Sequence, residues 1–434
     1  MIKSIWTKGV QLPSFESLKG NKKCDVLIIG GGMAGILCAH YLKNAGVDAI
    51  VAEARSVADG TTKNTTAKIT SLHSLIYSHI VLTYGKEKAQ MYYRANEEAI
   101  REYKSLCENV ECDFEIKAAY TYSLKSRALI EREVRCAEDI GAACSFLEKT
   151  ELPFEIKGAI EFTQQAQFNP LKFISAIVKD LNICENTFVR KIENGVAITD
   201  HGAIEAEKII VCTHFPFLNK HGAYFLKLYQ HRSYVTAFEN VPALNGMYVD
   251  EDMKGMSLSS YKNHLLIGGG GHRTGKEGEA WQGIKKLAEE YYPLAKENCR
   301  WAAQDCMSLD KIPYIGKYSN RTPNLYVATG FNKWGMTHSL VAAKILCDMV
   351  QGIKNDYSEL YSPQRKILHP QLFVNGFETT LNLLNPTTRR CPHLGCALKW
   401  NKHEHTWDCP CHGSRFTKEG ELIDNPATKD LGAK

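Results

Sequence analysis

No run of eighteen apolar residues occurs anywhere in the chain, which removes a membrane-spanning helix from the expectations. The opening segment, Met1 to Gly20, interrupts its apolar residues with Ser4, Gln11, Pro13 and Glu16 and has no secretory-signal core. A long Lys/Arg run is missing as well. The 53 basic and 48 acidic side chains leave a net charge of +5, which describes a mixed, solvated surface and not a nucleic-acid face. A disulfide framework is also lacking over most of the chain: the majority of the 15 cysteines are scattered without close pairing, as reduced thiols are, and a cytoplasmic location is expected. Only Cys391, Cys396, Cys409 and Cys411 cluster. What is present is a globular composition, 44% hydrophobic and 23% charged, over 434 residues. That length suits roughly two or three domains.

Asp25 to Ile29 is a short apolar run between charge and glycine, the pattern of a buried parallel strand. Gly30, Gly31, Gly32, Met33, Ala34 and Gly35 follow at once. Gly30 permits the tight turn, Gly32 lets a pyrophosphate approach the backbone, and Gly35 allows close helix packing. A helix is expected from Ala34 to Asn44, its free N–H groups aimed at phosphate, then a second strand from Asp48 to Ala52. Glu53, at that strand's end, suits the ribose of NAD and the adenosine ribose of FAD equally. Ala58 to Thr70 is dense in hydroxyls and reads either as a wall for a long polar ligand or as a surface turn.

The fingerprint, Glu53 and this Thr-rich loop together resemble the opening of the D-amino-acid oxidase and glycine oxidase family of flavoenzymes. The resemblance implies that the loop lies along the FAD pyrophosphate and ribityl chain, which makes Thr61, Thr62, Thr65, Thr66, Ala67 and Lys68 FAD contacts alongside Gly30, Gly32, Met33, Ala34 and Gly35. Lys86 to Cys107 is charged and helical in pattern, and Phe168, Asn169 and Pro170 mark a helix start. Phe188 to Ile192 and Lys208 to Thr213 read as strands. Val189 and Thr213 then either edge the adenosine site or belong to an ordinary core. Gln230 to Phe238 and His264 to Ile267 are expected strands, with Gly268 to Gly271 as a flexible hairpin turn.

A strand from Asn324 to Thr329, the turn Gly330 to Gly335, and a helix from Thr337 to Met349 complete the pattern. In the resembled family this unit closes the FAD domain with its helix N-terminus toward the flavin, where N–H groups stabilise negative charge. Gly330, Gly335, Met336 and Thr337 are thus implied FAD contacts. Lys333 and Trp334 fall near the ring, as substrate-orienting and pocket-shaping groups or as plain surface and packing residues. Arg232 joins them as a candidate catalytic side chain.

Residues 391 to 396 read Cys-Pro-His-Leu-Gly-Cys, and residues 409 to 414 read Cys-Pro-Cys-His-Gly-Ser. Two Cys/His boxes of this type match the Rieske [2Fe-2S] pattern, with Cys391 and Cys409 on one iron and His393 and His412 on the other. Four such ligands also satisfy zinc, although a Cys-x-His box is atypical for it. By resemblance to the Rieske proteins of cytochrome bc complexes, Cys396 and Cys411 form a disulfide that braces the loops. Phe416 stands where higher-potential relatives carry tyrosine, which implies a lower potential. Only about forty residues separate the flavin helix from Cys391, so the module's base is expected to be truncated or borrowed, and its docking tight.

The combined expectation is an α/β protein: a Rossmann-like FAD-binding domain (1–85, 150–215 and 306–352), an inserted α+β substrate domain (86–149 and 216–305), a linker (353–385) and a small, mostly β Rieske module (386–434). The resemblance implies an FAD-dependent oxidoreductase that acts on the C–N bond of an amine or amino acid, as a dehydrogenase more than an oxidase, and passes electrons singly to the cluster. Its expected partners are a small-molecule substrate and an external electron acceptor or donor, with no nucleic acid and no integral membrane segment. A reductase running in reverse, a redox sensor without a substrate, and a zinc-stabilised interaction module are the rival readings.

Overall fold

The computed structural model describes residues 3–366, 368–387 and 389–432, and the architecture below is that of the described residues. Strand Lys22–Ile29 forms the centre of an eight-stranded sheet. It pairs in parallel with Ala49–Ala52 on one side and with Gly202–Val211 on the other, and Leu325–Thr329 continues the parallel order. Leu27 and Ile28 are fully buried because both faces are covered, Ile28 by residues of helices Met33–Asn44 and Gly335–Gln351 and Leu27 by Val189, Ala197 and Phe215, which is why this run has no polar alternation. Helix Met33–Asn44 follows the glycine turn and packs against helix Gly335–Gln351.

A second, nine-stranded sheet runs from Lys296–Ser308 through Leu228–Glu239, His264–Arg273, Ser257–Tyr261, Met247–Asp250, Glu115–Ser123 and Gly158–Gln167 to Lys68–Ile69. The two sheets share the chain differently from the expected boundaries. Strand Gly158–Gln167, expected in the dinucleotide domain, pairs with Glu115–Ser123 in the second sheet. Helix Lys86–Cys107, expected in the inserted domain, packs on helix Gly335–Gln351, where Tyr103 Oη donates to the Met336 carbonyl at 2.9 Å. Asn169 caps helix Pro170–Ile177 by accepting from the Leu171 and Lys172 N–H groups at 3.0 and 3.2 Å, with Pro170 in the first turn.

Gly268 to Gly271 is not a hairpin turn. Strand His264–Arg273 continues through the four glycines, bonded to Leu228–Glu239 along one edge with a register shift at Gly270 and Gly271, where Gly270 takes φ +61°. The reason is crowding: a Cβ on Gly270 would strike the Ala280 carbonyl, one on Gly269 the Met256 sulfur, and one on Gly271 would lie 2.6 Å from the His231 ring. The expected linker is also structured, containing helices Ser358–Tyr361 and Pro370–Leu384. After it comes a four-stranded sheet, Lys399–Asn401, Thr406–Asp408, Arg415–Phe416 and Leu422–Asp424. All four strands follow the first Cys/His box. In place of strands before that box, the module is held by Gln304 of the second sheet and by the Thr213 and Phe215 carbonyls that follow strand Gly202–Val211.

Candidate functional site

A cavity of about 820 Å³ lies between the two large sheets. One end is walled by Gly30, Gly32, Met33, Ala34 and Glu53, the middle by Thr61, Thr62, Thr65, Thr66 and Lys68, and the far end by Gly330, Lys333, Trp334, Gly335 and Met336. The glycine turn is close-packed for a reason. A Cβ on Gly30 would approach the Cys212 carbonyl oxygen to 2.6 Å, and one on Gly35 would strike the Gly30 carbonyl. Glu53 is half-buried and accepts from the Gly31 and Arg55 N–H groups at 2.6 and 2.9 Å. Burial raises its pKa, and these two bonds oppose the rise. The Met33 N–H, in the first helical turn, donates to Thr62 Oγ1 at 3.0 Å, which ties the Thr-rich loop to the helix N-terminus. A hydroxyl-lined groove between two helix N-termini fits a diphosphate-bridged dinucleotide along its length.

At the far end Lys333 faces the cavity at φ +74° beside Asn332 at φ +51°, a left-handed pair held by Asn332 hydrogen bonds to the Ser308 N–H and hydroxyl at 2.9 Å each. Burial lowers the Lys333 pKa, with Asp305 pulling the other way. Burial likewise lowers Lys68, to about 8. Trp334 stacks on His73 with ring centroids 4.7 Å apart. His73 is bonded to Tyr92 Oη at 2.6 Å, and Tyr92 Oη to His338 Nε2 at 3.0 Å. Burial holds His338 at about 3 and His73 well below the usual histidine range, so both rings are neutral.

The two Cys/His boxes adopt one shape twice. In the first, the Cys391 N–H donates to the Cys396 carbonyl and the Gly395 N–H to the Cys391 carbonyl, both at 2.9 Å. In the second, Cys409 donates to Ser414 at 2.8 Å and Gly413 to Cys409 at 2.9 Å. Gly395 and Gly413 take φ +78° and +84°, so each box needs glycine at its fifth position. The loops face each other, joined by the Cys396–Cys411 disulfide. Cys391, Cys409 and His412 are buried, and His393 Nδ1 stands 3.3 Å from His412 Nδ1. A hydrogen bond from Cys391 holds Cys409 well below the usual thiol range, and burial and then His412 hold His393 at about 3. A thiolate and neutral imidazoles are the forms that bind metal, and a pair of thiols facing a pair of imidazoles is the donor set of a mixed-ligand iron pair.

These sites have counterparts in known proteins. The pattern of the family described as FAD dependent oxidoreductase matches residues 25–349, three quarters of the chain, and that of the Rieske [2Fe-2S] domain matches residues 377–433. The chain belongs to the FAD dependent oxidoreductase family. The oxidoreductase is 33% identical to a Rieske 2Fe-2S iron-sulfur protein, YhfW, of Bacillus subtilis (strain 168), over 99% of this chain and 96% of that one. Its fold is similar to glycine oxidase from Geobacillus kaustophilus, with TM-score 0.68 at 17% identity over 80% of this chain and 100% of that chain. It is also similar to L-proline dehydrogenase from P. horikoshii, with TM-score 0.67 at 16% identity over 80% and 98%. FAD and a [2Fe-2S] cluster are therefore its cofactors.

Most of the expected FAD contacts, Val189 and Thr213 included, line the cavity of the oxidoreductase. Four expected residues do not. Gly35 serves helix packing, Ala67 is buried at φ +55° behind the wall, and Thr337 Oγ1 donates to the Thr70 carbonyl at 3.1 Å. Arg232 is the fourth, and its placement corrects the catalytic role expected of it: its guanidinium is buried and paired with Glu404 of the Rieske sheet. An arginine spent on a buried carboxylate is not free for substrate.

Sequence reading missed the residues that join the two sites. Gln304 Nε2 donates to the Gly413 carbonyl at 2.9 Å, next to His412, while the Gln304 carbonyl accepts from Thr61 of the Thr-rich loop at 3.4 Å. Asn425 Nδ2 donates to the Thr213 and Phe215 carbonyls at 2.7 and 2.6 Å. The Ala427 N–H donates to Ser414 Oγ at 3.0 Å. Leu422 to Asn425 and Ala427 of the Rieske module line the cavity itself. Asn219 Oδ1 lies 2.7 Å from His393 Nε2, so the ring nitrogen opposite the facing Nδ1 pair is held by the flavin-binding body. No local pattern marks Gln304, Asn425 or Asn219, because the partner of each across the two sites lies more than a hundred residues away.

Proposed function

We propose that the oxidoreductase oxidises the C–N bond of a small amine or amino acid and sends the electrons out singly through its cluster, as a dehydrogenase. The observation that carries this reading is the shared wall: Gln304 donates to the Gly413 carbonyl of the Cys409–Ser414 box while its own carbonyl accepts from the cavity-lining Thr61, and Asn425 of the same module donates to the carbonyl of the cavity-lining Thr213. When bound, FAD takes up a hydride and releases electrons one at a time, and the cluster carries one. An internal outlet of this kind supports electron export over direct reaction with oxygen. The fold neighbours, glycine oxidase and L-proline dehydrogenase by name, support an amine or amino acid as the substrate class.

The chain's own groups would divide the work. Lys333 Nζ, with its pKa lowered by burial, accepts the proton that a substrate ammonium must lose before a C–N bond can be oxidised. Asp305, which opposes that shift, holds the charge that results. Trp334, seated on His73, forms an apolar wall that excludes water from the reacting carbon. The supporting experiment is anaerobic mixing of the holoprotein with a panel of amines and amino acids, following flavin absorbance and the electron paramagnetic resonance of the cluster in one sample. A substrate should bleach the flavin and then produce the Rieske signal. Bleaching without a cluster signal would overturn the electron route, and no bleaching by any amine would overturn the substrate class.

A further inference from the structure

Helix Pro370–Leu384 is amphipathic, yet it is seated with its polar stripe inward. Asn375 is buried: its Nδ2 donates to the Leu226 carbonyl at 3.1 Å, and its Oδ1 accepts from Arg273 at 3.0 Å and from Gln371 at 3.1 Å. Glu378 pairs with Lys276 at 2.7 Å, and Asn382, also buried, accepts at its carbonyl from the Ala397 N–H at 2.9 Å. Because these bonds fix the helix rotation, the apolar stripe faces outward. Phe373 is 66% exposed, Phe377 64% and Leu384 76%, with Val374 and Leu381 between them. A helix on a soluble monomer turns this stripe to the core, and a large exposed apolar face marks a surface that something covers.

The patch does not stop at the helix. Leu383 reaches to 3.9 Å from the Cβ position of Gly395, and the neighbouring Leu394 of the first cluster box is exposed. Charge then narrows the occupant. From residue 366 to 403 the chain has Lys366, Arg389, Arg390, Lys399 and Lys402 but a single acid, Glu378, already paired with Lys276. Arg390 caps the helix end, donating to the Leu383 and Gly395 carbonyls at 3.1 and 2.8 Å, and so sets a cation at the junction of helix and cluster box.

We propose that this face lies on an anionic lipid bilayer, with the helix in the membrane plane. Phe373, Phe377, Leu381 and Leu384 enter the boundary between headgroups and acyl chains, while Arg390 at the helix end and the other lysines and arginines of this stretch of chain meet lipid phosphates. The attachment is peripheral, in keeping with the absence of any helix among the described residues long and apolar enough to cross a membrane. It brings the Cys391–Cys396 box against the bilayer. The inference is independent of the substrate, so a failure of the amine reading leaves it standing.

The test is co-sedimentation of the holoprotein with vesicles of phosphatidylglycerol and, separately, of phosphatidylcholine. Binding to phosphatidylglycerol vesicles is expected, weaker to phosphatidylcholine, and falling as salt is added. The double variant Phe373→Asp/Phe377→Asp should lose on the order of tenfold in vesicle binding while retaining the cluster's paramagnetic spectrum. Lys366→Gln/Lys402→Gln should weaken binding to phosphatidylglycerol alone. Failure to sediment with either vesicle overturns the proposal, as does equal sedimentation of wild type and the Phe373/Phe377 variant. Sedimentation velocity guards against the rival occupant: a dimer dispersed by Phe377→Asp, in a protein that ignores vesicles, would assign the face to a second copy.

Discussion

At the scale of single residues, burial sets the chemistry more than identity does. Lys333 and Lys68 are ordinary lysines in the sequence, and it is desolvation in the cavity that lowers both. If Lys333 must be unprotonated to accept a proton, turnover rises with pH through its depressed pKa. Lys333→Arg, which stays charged, should then cut the rate by about a hundredfold or more. Lys333→Met should cut it similarly and abolish the acid limb of the pH profile, read from initial rates across the pH range below the ordinary lysine value. Asn219 is a second case. Its carbonyl accepts from His393 Nε2, and Asn219→Ala should cost about ten- to a hundredfold in cluster retention or activity. Iron content per chain and the shape of the cluster's paramagnetic signal check it.

At the scale of elements, the periodic ones were legible and the crowded ones were not. Helix Lys86–Cys107 and the strand–turn–helix around Gly30 follow from charge, apolar spacing and glycine placement, all local properties. The four glycines of strand His264–Arg273 look like a turn in sequence because glycine is the common turn residue. They are strand residues because Ala280, Met256 and His231 press against their backbone from elsewhere in the chain. Gly270→Ala, at φ +61° and against the Ala280 carbonyl, should therefore destabilise by at least about 2 kcal/mol. Thermal unfolding and flavin content after purification would register it, since Gly268, Gly269 and Gly271 line the cavity. Helix Pro370–Leu384 shows the opposite lesson. Its amphipathic pattern is plain, but only its tertiary bonds reveal which stripe faces out.

At the scale of the whole molecule, the Rieske module is held by buried charge. Glu404 lies between Arg232 of the second sheet and Arg415 of its own sheet, which also binds Asp408 and Asp424. Burial pushes the Glu404 carboxyl up, but the Arg232 and Arg415 guanidiniums outweigh it and hold it at about 2. A depressed carboxylate contributes stability above its unfolded value near 4.5, and that contribution is lost as pH falls toward 2. Docking should therefore be insensitive to pH in the neutral range and weaken in acid between these values. Glu404→Gln leaves Arg232 buried without its counter-charge, at a cost of about 3–5 kcal/mol. Limited proteolysis should release the C-terminal module from this variant at neutral pH and from wild type only in acid.

The two Cys/His boxes of the Rieske domain, the dinucleotide turn and the cofactor class were legible in the sequence alone, because each depends on residues a few positions apart whose spacing the backbone converts directly into geometry. The docking of the module, the role of Arg232, and the bonds through Gln304, Asn425 and Asn219 were decided only by tertiary structure. Each requires two groups separated by more than a hundred residues to meet in a buried place. Burial is also what gives those meetings their strength, and it is a property that no local stretch of chain possesses by itself.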